Sequence, residues 1–228
     1  MSVVNRKSLG ATLDALNEVW FAGSALSASE RREAARWIAG RQGLPGSYAG
    51  MFAPTDEEMA ESLRLFTGER IVSGGGARHI LGEEACRALI LLRVPDREVR
   101  EALEGASRGM AARLLASRDR ARGMYCCARC SVALWRHLAV GGLEEADPER
   151  WLRIGVETLK QHRAGDGRWR RFPFYYSVLA LTEMDMLAAI EELRYAAPVC
   201  EKLLKQNPTG DVYAERRRVL ARRVLERC

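Results

Sequence analysis

One spacing recurs along this chain: a polar residue, a glycine four positions later, and an aromatic two beyond that. It reads Gln42, Gly46, Tyr48, then Asp119, Gly123, Tyr125, then Arg163, Gly167, Trp169. A degraded copy at Arg70, Gly74 and Gly76 lacks the aromatic. Each copy follows a helix-like stretch that ends in an apolar pair: Trp37-Ile38, Leu114-Leu115, the weaker Thr158-Leu159, and Leu65-Phe66. The physical reading is a helix–turn–helix unit. The polar side chain bonds backbone groups freed at the helix end. The glycine takes a turn conformation that a β-carbon resists, and the aromatic fills the gap between two helices. A single helix pair cannot bury its own apolar face, so the copies must stack side by side.

Other signals agree with a helical chain. Leu13, Leu16, Val19 and Trp20 recur at helical spacing. Ser27 with Glu30 and Thr55 with Glu58 are capping boxes, the second ahead of Met59, Leu63 and Phe66. Gly82-Glu83-Glu84 opens a run through Leu91, Pro95-Asp96 starts a helix weakened by Gly105 and Gly109, and Asp147-Pro148 is a strong start. Further helices are expected over 125–138, over 174–193 as one long element, and over 211–225. No strand alternation is visible, so the expected fold is all-α, with nine or ten helices. With 228 residues, 47% apolar and 29% charged, one globular domain over 1–228 is expected. Its core repeats span 27–196 and a basic helix spans 211–227. No apolar run reaches the ~18 residues that span a bilayer. No secretory signal is visible at the start of the sequence, so a cytoplasmic location is expected.

The net charge is +6, and most of it is terminal. From Lys202 to Cys228 eight cations stand against three acids. The favoured explanation is a solvated helix that also pairs with acidic neighbours; the alternative is contact with nucleic acid, a membrane surface or a protein. Six cysteines are present, three of them crowded at Cys126, Cys127 and Cys130, which is not the spacing of a secreted disulfide framework.

The repeated motif resembles that of the prenyltransferase and squalene-cyclase family: aromatic, aliphatic, three residues, Gln, spacer, Gly, any residue, Trp. Trp37, Ile38, Gln42, Gly46 and Tyr48 match it with tyrosine in the last place. Gly165-Asp166-Gly167-Arg168-Trp169 is similar to the family's Asp-Gly-x-Trp turn. The stretches after Tyr125 and after Phe174 look like its inner helices. The resemblance implies an α/α toroid or partial toroid, with inner helices around a central cavity that takes an apolar or isoprenoid-like ligand. It carries no catalytic chemistry over: neither the Asp-x-Asp-Asp acid of the class II cyclases nor the Asp-x-Cys zinc pair of the protein prenyltransferases occurs here.

In such a ring the starts of the inner helices would supply ligand contacts: Tyr125, Arg129, Tyr175, Tyr176, His79 and Glu83. The glycines at 74–76 are expected to form a loop ahead of a helix, with His79 and Glu83 paired beyond it. Arg168 to Tyr176 interleaves cations with aromatics and fits a toroid rim. The cysteines are read first as small buried side chains that let helices approach, and no cofactor is expected. The alternative is a metal or reactive-thiol site on Cys126, Cys130 and His137, with a fourth ligand from Cys86, Cys200 or His79. A third functional class is a non-enzymatic scaffold that binds protein or nucleic acid through the C-terminal arginines.

Overall fold

A computed structural model describes residues 2–117, 124, 126–144, 147–207 and 210–228. Ten α-helices are found among them, and no strand. They are α1 (Leu9–Phe21), α2 (Ala28–Ala39), α3 (Asp56–Met59), α4 (Gly74–Leu92), α5 (Arg97–Ala116), α6 (Ala128–Ala139), α7 (Pro148–Gln161), α8 (Phe174–Thr182), α9 (Leu187–Leu204) and α10 (Val212–Arg227). No helix among the described residues is long and apolar enough to cross a membrane.

Burial divides the helices into two layers. Ten of the twelve residues of α6 are buried, but only five of the twenty of α5. A helix enclosed on all sides must lie inside, and one with a single apolar stripe must lie outside. Helices α4, α6 and α8 are of the first kind. Each packs on the next, with α1 against α4 and α10 against α8. Outside them, α2 and α5 cover α4, α7 covers α6 and α9 covers α8.

Two turns follow the repeated spacing; the first copy does not, because its bridge joins Gln42 to Phe52 and not to Tyr48. An isolated backbone bridge joins Arg163 to Trp169, and another joins Arg64 to Arg70. Gly167 and Gly68 stand at the same place in these two turns, with φ of 84° and 90°. The fourth copy is therefore Arg64, Gly68, Arg70, upstream of the position read from sequence. The copy at Asp119 to Tyr125 lies outside the described residues. In the first copy Gln42 Nε2 donates to the Gly50 carbonyl at 2.8 Å, and this turn docks on α5. A β-carbon at Gly109 would sit 1.8 Å from the Ala49 carbonyl oxygen. The glycine that weakens α5 locally is what lets the turn approach it.

Three expectations change. Helix α4 begins at Gly74, with Ser73 as its N-cap, so the three glycines are a first helical turn and not a loop. The Thr55 capping box forms, but α3 ends at Met59 and does not run on to Phe66. The helix expected over 174–193 is two helices with a break at 183–186.

Helix α10 returns to the beginning of the chain. Arg216, largely buried, bonds Asp14 at 2.7 and 2.8 Å and Glu18 at 2.6 Å, and stands 4.1 Å over the Phe66 ring. Arg223 donates to the Phe21 carbonyl and Arg227 to that of Thr182. Arg217 reaches Thr67 O, and Arg218 reaches the carbonyls closing α9. Cations at helix C-termini complement the helix dipole and satisfy orphan carbonyls. Arg216→Ala is expected to lower the unfolding free energy by roughly 2–3 kcal/mol. A lower urea midpoint checks this; an unchanged midpoint would mean that α1 and α10 hold without the bridge.

Candidate functional site

Two clusters of buried polar side chains lie among the inner helices. The first joins four elements. Arg136 of α6 bonds both oxygens of Glu183, at 2.8 Å each, and Glu84 of α4. It also reaches Asn17 Oδ1 of α1 at 3.0 Å. Arg87 of α4 donates to the same Asn17 oxygen at 2.9 Å and to Glu183 at 2.8 Å. Tyr176 of α8 donates its hydroxyl to Glu84. Two guanidiniums therefore face two carboxylates, and the charges balance. Burial alone would lower the Arg136 pKa, but the carboxylates of Glu183 and Glu84 overcome it and hold Arg136 above its ordinary value. Burial opposes ionisation of Glu183 as well, and the two arginines keep it below the usual carboxylate range.

This network separates two openings. One, of about 370 Å³, is lined by early residues of four helices: Asp14, Leu81 and Glu84, Tyr176, and Tyr213. The other, of about 440 Å³, is lined by later residues of the same helices and by Glu183: Phe21, Arg87 and Leu91, Leu179, Arg223 and Arg227. Helices α1, α4, α8 and α10 thus run in one direction between the openings. The first opening gathers Asp14, Glu61 and Glu84 against Arg64; the second gathers four arginines against Glu183 and Glu226. Arg87 Nε is buried at the second opening and meets no hydrogen-bond partner among the described residues.

The second cluster lies between α4 and α6. Glu83 sits between two imidazoles, with His79 Nε2 at 3.6 Å and His137 Nδ1 at 3.5 Å, all three buried. Burial drives both histidines down to about 3, the Arg113 charge adding for His79 and the Arg87 charge for His137. Burial and the Glu84 charge raise Glu83 well above its ordinary value. The donor atoms of His79, Cys126 and Cys130 lie within 4.8 Å of one another. Cys127 is the N-cap of α6, its sulfur 3.4 Å from that of Cys130. The Cys127 thiol is lowered to about 5, first by its hydrogen bond with Cys130, against the effect of burial, and then by first-turn N–H groups.

The residues named from sequence do not converge on one place. Tyr176 faces the first opening. Tyr175 is half-buried between Phe174 and Arg217. Arg129 is half-buried in the first turn of α6. Tyr125 lies outside the described residues. His79 and Glu83 pair as their spacing suggests, but beside the cysteines. Of the metal alternatives, Cys126 and Cys130 come together and His137 turns to Glu83; the histidine that joins the sulfurs is His79. Sequence reasoning missed Asn17, Glu84, Arg87 and Arg136. The available signal was charge inside apolar helices, at Glu83-Glu84 and Arg136-His137.

Compared with known proteins, the chain matches no family model, no curated protein and no solved structure.

Proposed function

We propose that the chain is a small α/α toroid that holds an amphiphilic, anionic small molecule in its basic opening. Helices α1 and α10 would close the row of inner helices α4, α6 and α8 into a ring, with the Arg216 bridges as its seam. The observation that carries the ligand reading is the 440 Å³ opening itself, which falls in the size range of small-molecule sites. Four arginines from α4, α6 and α10 meet there beside Trp20, Phe21 and Leu179. One guanidinium N–H, that of Arg87 Nε, is buried without an acceptor among the described residues. Arginine forks suit phosphate-type oxygens, and the aromatic wall suits a hydrocarbon tail. The charges of the site favour a head group with negative oxygens over a wholly apolar molecule. An isoprenoid diphosphate has both parts.

Titration with geranyl diphosphate tests the reading, followed by calorimetry, with geraniol and inorganic pyrophosphate as comparisons. Saturable binding of geranyl diphosphate is expected, weaker binding of either fragment, and a loss of roughly tenfold or more in Arg227→Ala. Affinity should fall as salt rises. No saturable heat with any of the three, or equal binding by Arg227→Ala, would remove the reading. Contact with nucleic acid through the C-terminal arginines is less favoured. Arg216, Arg217 and Arg218 direct their donors to the chain's own carbonyls and carboxylates, and Arg223 and Arg227 line the opening.

A further inference from the structure

We infer that the head of α6 and the opening turns of α4 build a zinc-type metal centre, with His79, Cys126 and Cys130 as ligands and the fourth position open to solvent. The inference stands apart from the ligand reading, because these residues line neither opening of the ring.

Convergence is the first support. His79 comes from one helix, and the two sulfurs from the start of another, far along the chain. Their donor atoms nevertheless lie within 4.8 Å of one another. A tetrahedral zinc with bonds of about 2.0–2.3 Å places its donors roughly 3.4–3.8 Å apart, so a small contraction closes the site. Donor chemistry is the second. Thiolates and imidazole select zinc, cobalt or ferrous iron over calcium or magnesium. Two thiolates and a neutral imidazole also neutralise a divalent cation, which makes a largely buried site electrostatically acceptable. Binding releases the thiol protons of Cys126 and Cys130 to solvent, and no oxidation is involved.

The surroundings hold the histidine in place. The Tyr48 ring stacks on His79 with centroids 4.0 Å apart and planes 17° from parallel. Glu83 Oε1 lies 3.6 Å from Nε2, just beyond hydrogen-bond distance, and would close on it as the site contracts. A carboxylate behind a ligating histidine fixes its orientation and raises its donor strength, so Glu83 is a positioning residue. Cys130 is buried and Cys126 exposed, so the site has an inner wall and an outer edge. Three protein ligands with an exposed edge is the arrangement that leaves a coordination place for water.

The test uses the full chain, reduced, freed of metal with a chelator and titrated anaerobically with cobalt(II). One equivalent should bind, with a thiolate-to-cobalt charge-transfer band in the near ultraviolet and the intense visible bands of tetrahedral cobalt; zinc should displace it. Cys126→Ser should abolish both bands. That residue is exposed and precedes the helix, so circular dichroism should show the fold intact even where His79→Ala fails to fold. Glu83→Gln should weaken binding by about 10–100-fold while keeping the band positions. Cys127→Ser should keep both spectrum and affinity. The inference is overturned if the wild type shows no tetrahedral cobalt bands, if they persist in Cys126→Ser, or if Cys127→Ser removes them.

Discussion

Arg136→Met is expected to destabilise the protein by about 3–5 kcal/mol, the largest effect of any single substitution considered for this fold. The side chain is buried, and its guanidinium is the common partner of Glu84, Glu183 and Asn17. Among the described residues, removing it leaves Glu84 with Tyr176 and the Asn17 amide, and Glu183 with Arg87. An uncompensated buried carboxylate is far more costly than a missing hydrogen bond. Arg136→Lys keeps the charge and loses the fork, so it should fall between wild type and methionine. Adding Glu84→Gln to Arg136→Met should recover part of the loss, since it removes one stranded charge. Urea unfolding of wild type, Arg136→Met, Glu84→Gln and the double variant measures the coupling directly. Additive losses would show that Arg136 and Glu84 do not act as a pair.

The second large effect is a pH dependence with opposite signs on its two sides. Glu83 has its pKa raised by burial and by the Glu84 charge. Its stabilising contribution is therefore present below the ordinary carboxylate range and is lost as pH rises toward its folded value. His137 is depressed to about 3, by burial and then by Arg87. Its contribution is present above about 6.5, the value of an unfolded histidine, and is lost as pH falls toward the folded value. The metal-free protein should thus be most stable at intermediate pH. Glu83→Gln keeps a neutral side chain of the same shape, so it removes the alkaline-side loss. Its stability relative to wild type should grow from about pH 5 to about pH 8, by at most about 1.4 kcal/mol per unit. Urea midpoints across this range decide the matter. A constant difference between the two proteins would mean that Glu83 is ionised in the fold and shares its charge with an imidazolium.

What sequence could show depended on whether the cause was local. The Ser27 capping box and the Asp147-Pro148 helix start form as read, because capping involves only residues within one turn. The turn at Arg163 forms because its glycine and aromatic do their work in place. The start of α4 was hidden: three glycines read as a loop, yet Ser73 caps them and burial on every side holds the helix. The break between α8 and α9 was hidden for a similar reason. Apolar spacing continues through it, but Glu183 is drawn to Arg87 and Arg136, and Arg227 takes up the carbonyl of Thr182. The ionic network was illegible because its members come from four separate elements, and no spacing along the chain relates Asn17 to Arg136. The cysteine cluster was visible at once; its histidine was not, because helical spacing favours His137 and only the side-by-side placement of α4 and α6 brings His79 to the sulfurs.

The bridge from Arg216 to Asp14 and Glu18 also fixes an order of events during synthesis. The first helix leaves the ribosome long before the residues that will clasp it exist. Until α10 emerges, Phe21, Phe66 and the apolar face awaiting Leu220 and Val224 stand open, and nascent chains in that condition recruit chaperones or one another. A message truncated shortly before α10 would therefore yield an aggregation-prone product rather than a slightly shorter protein.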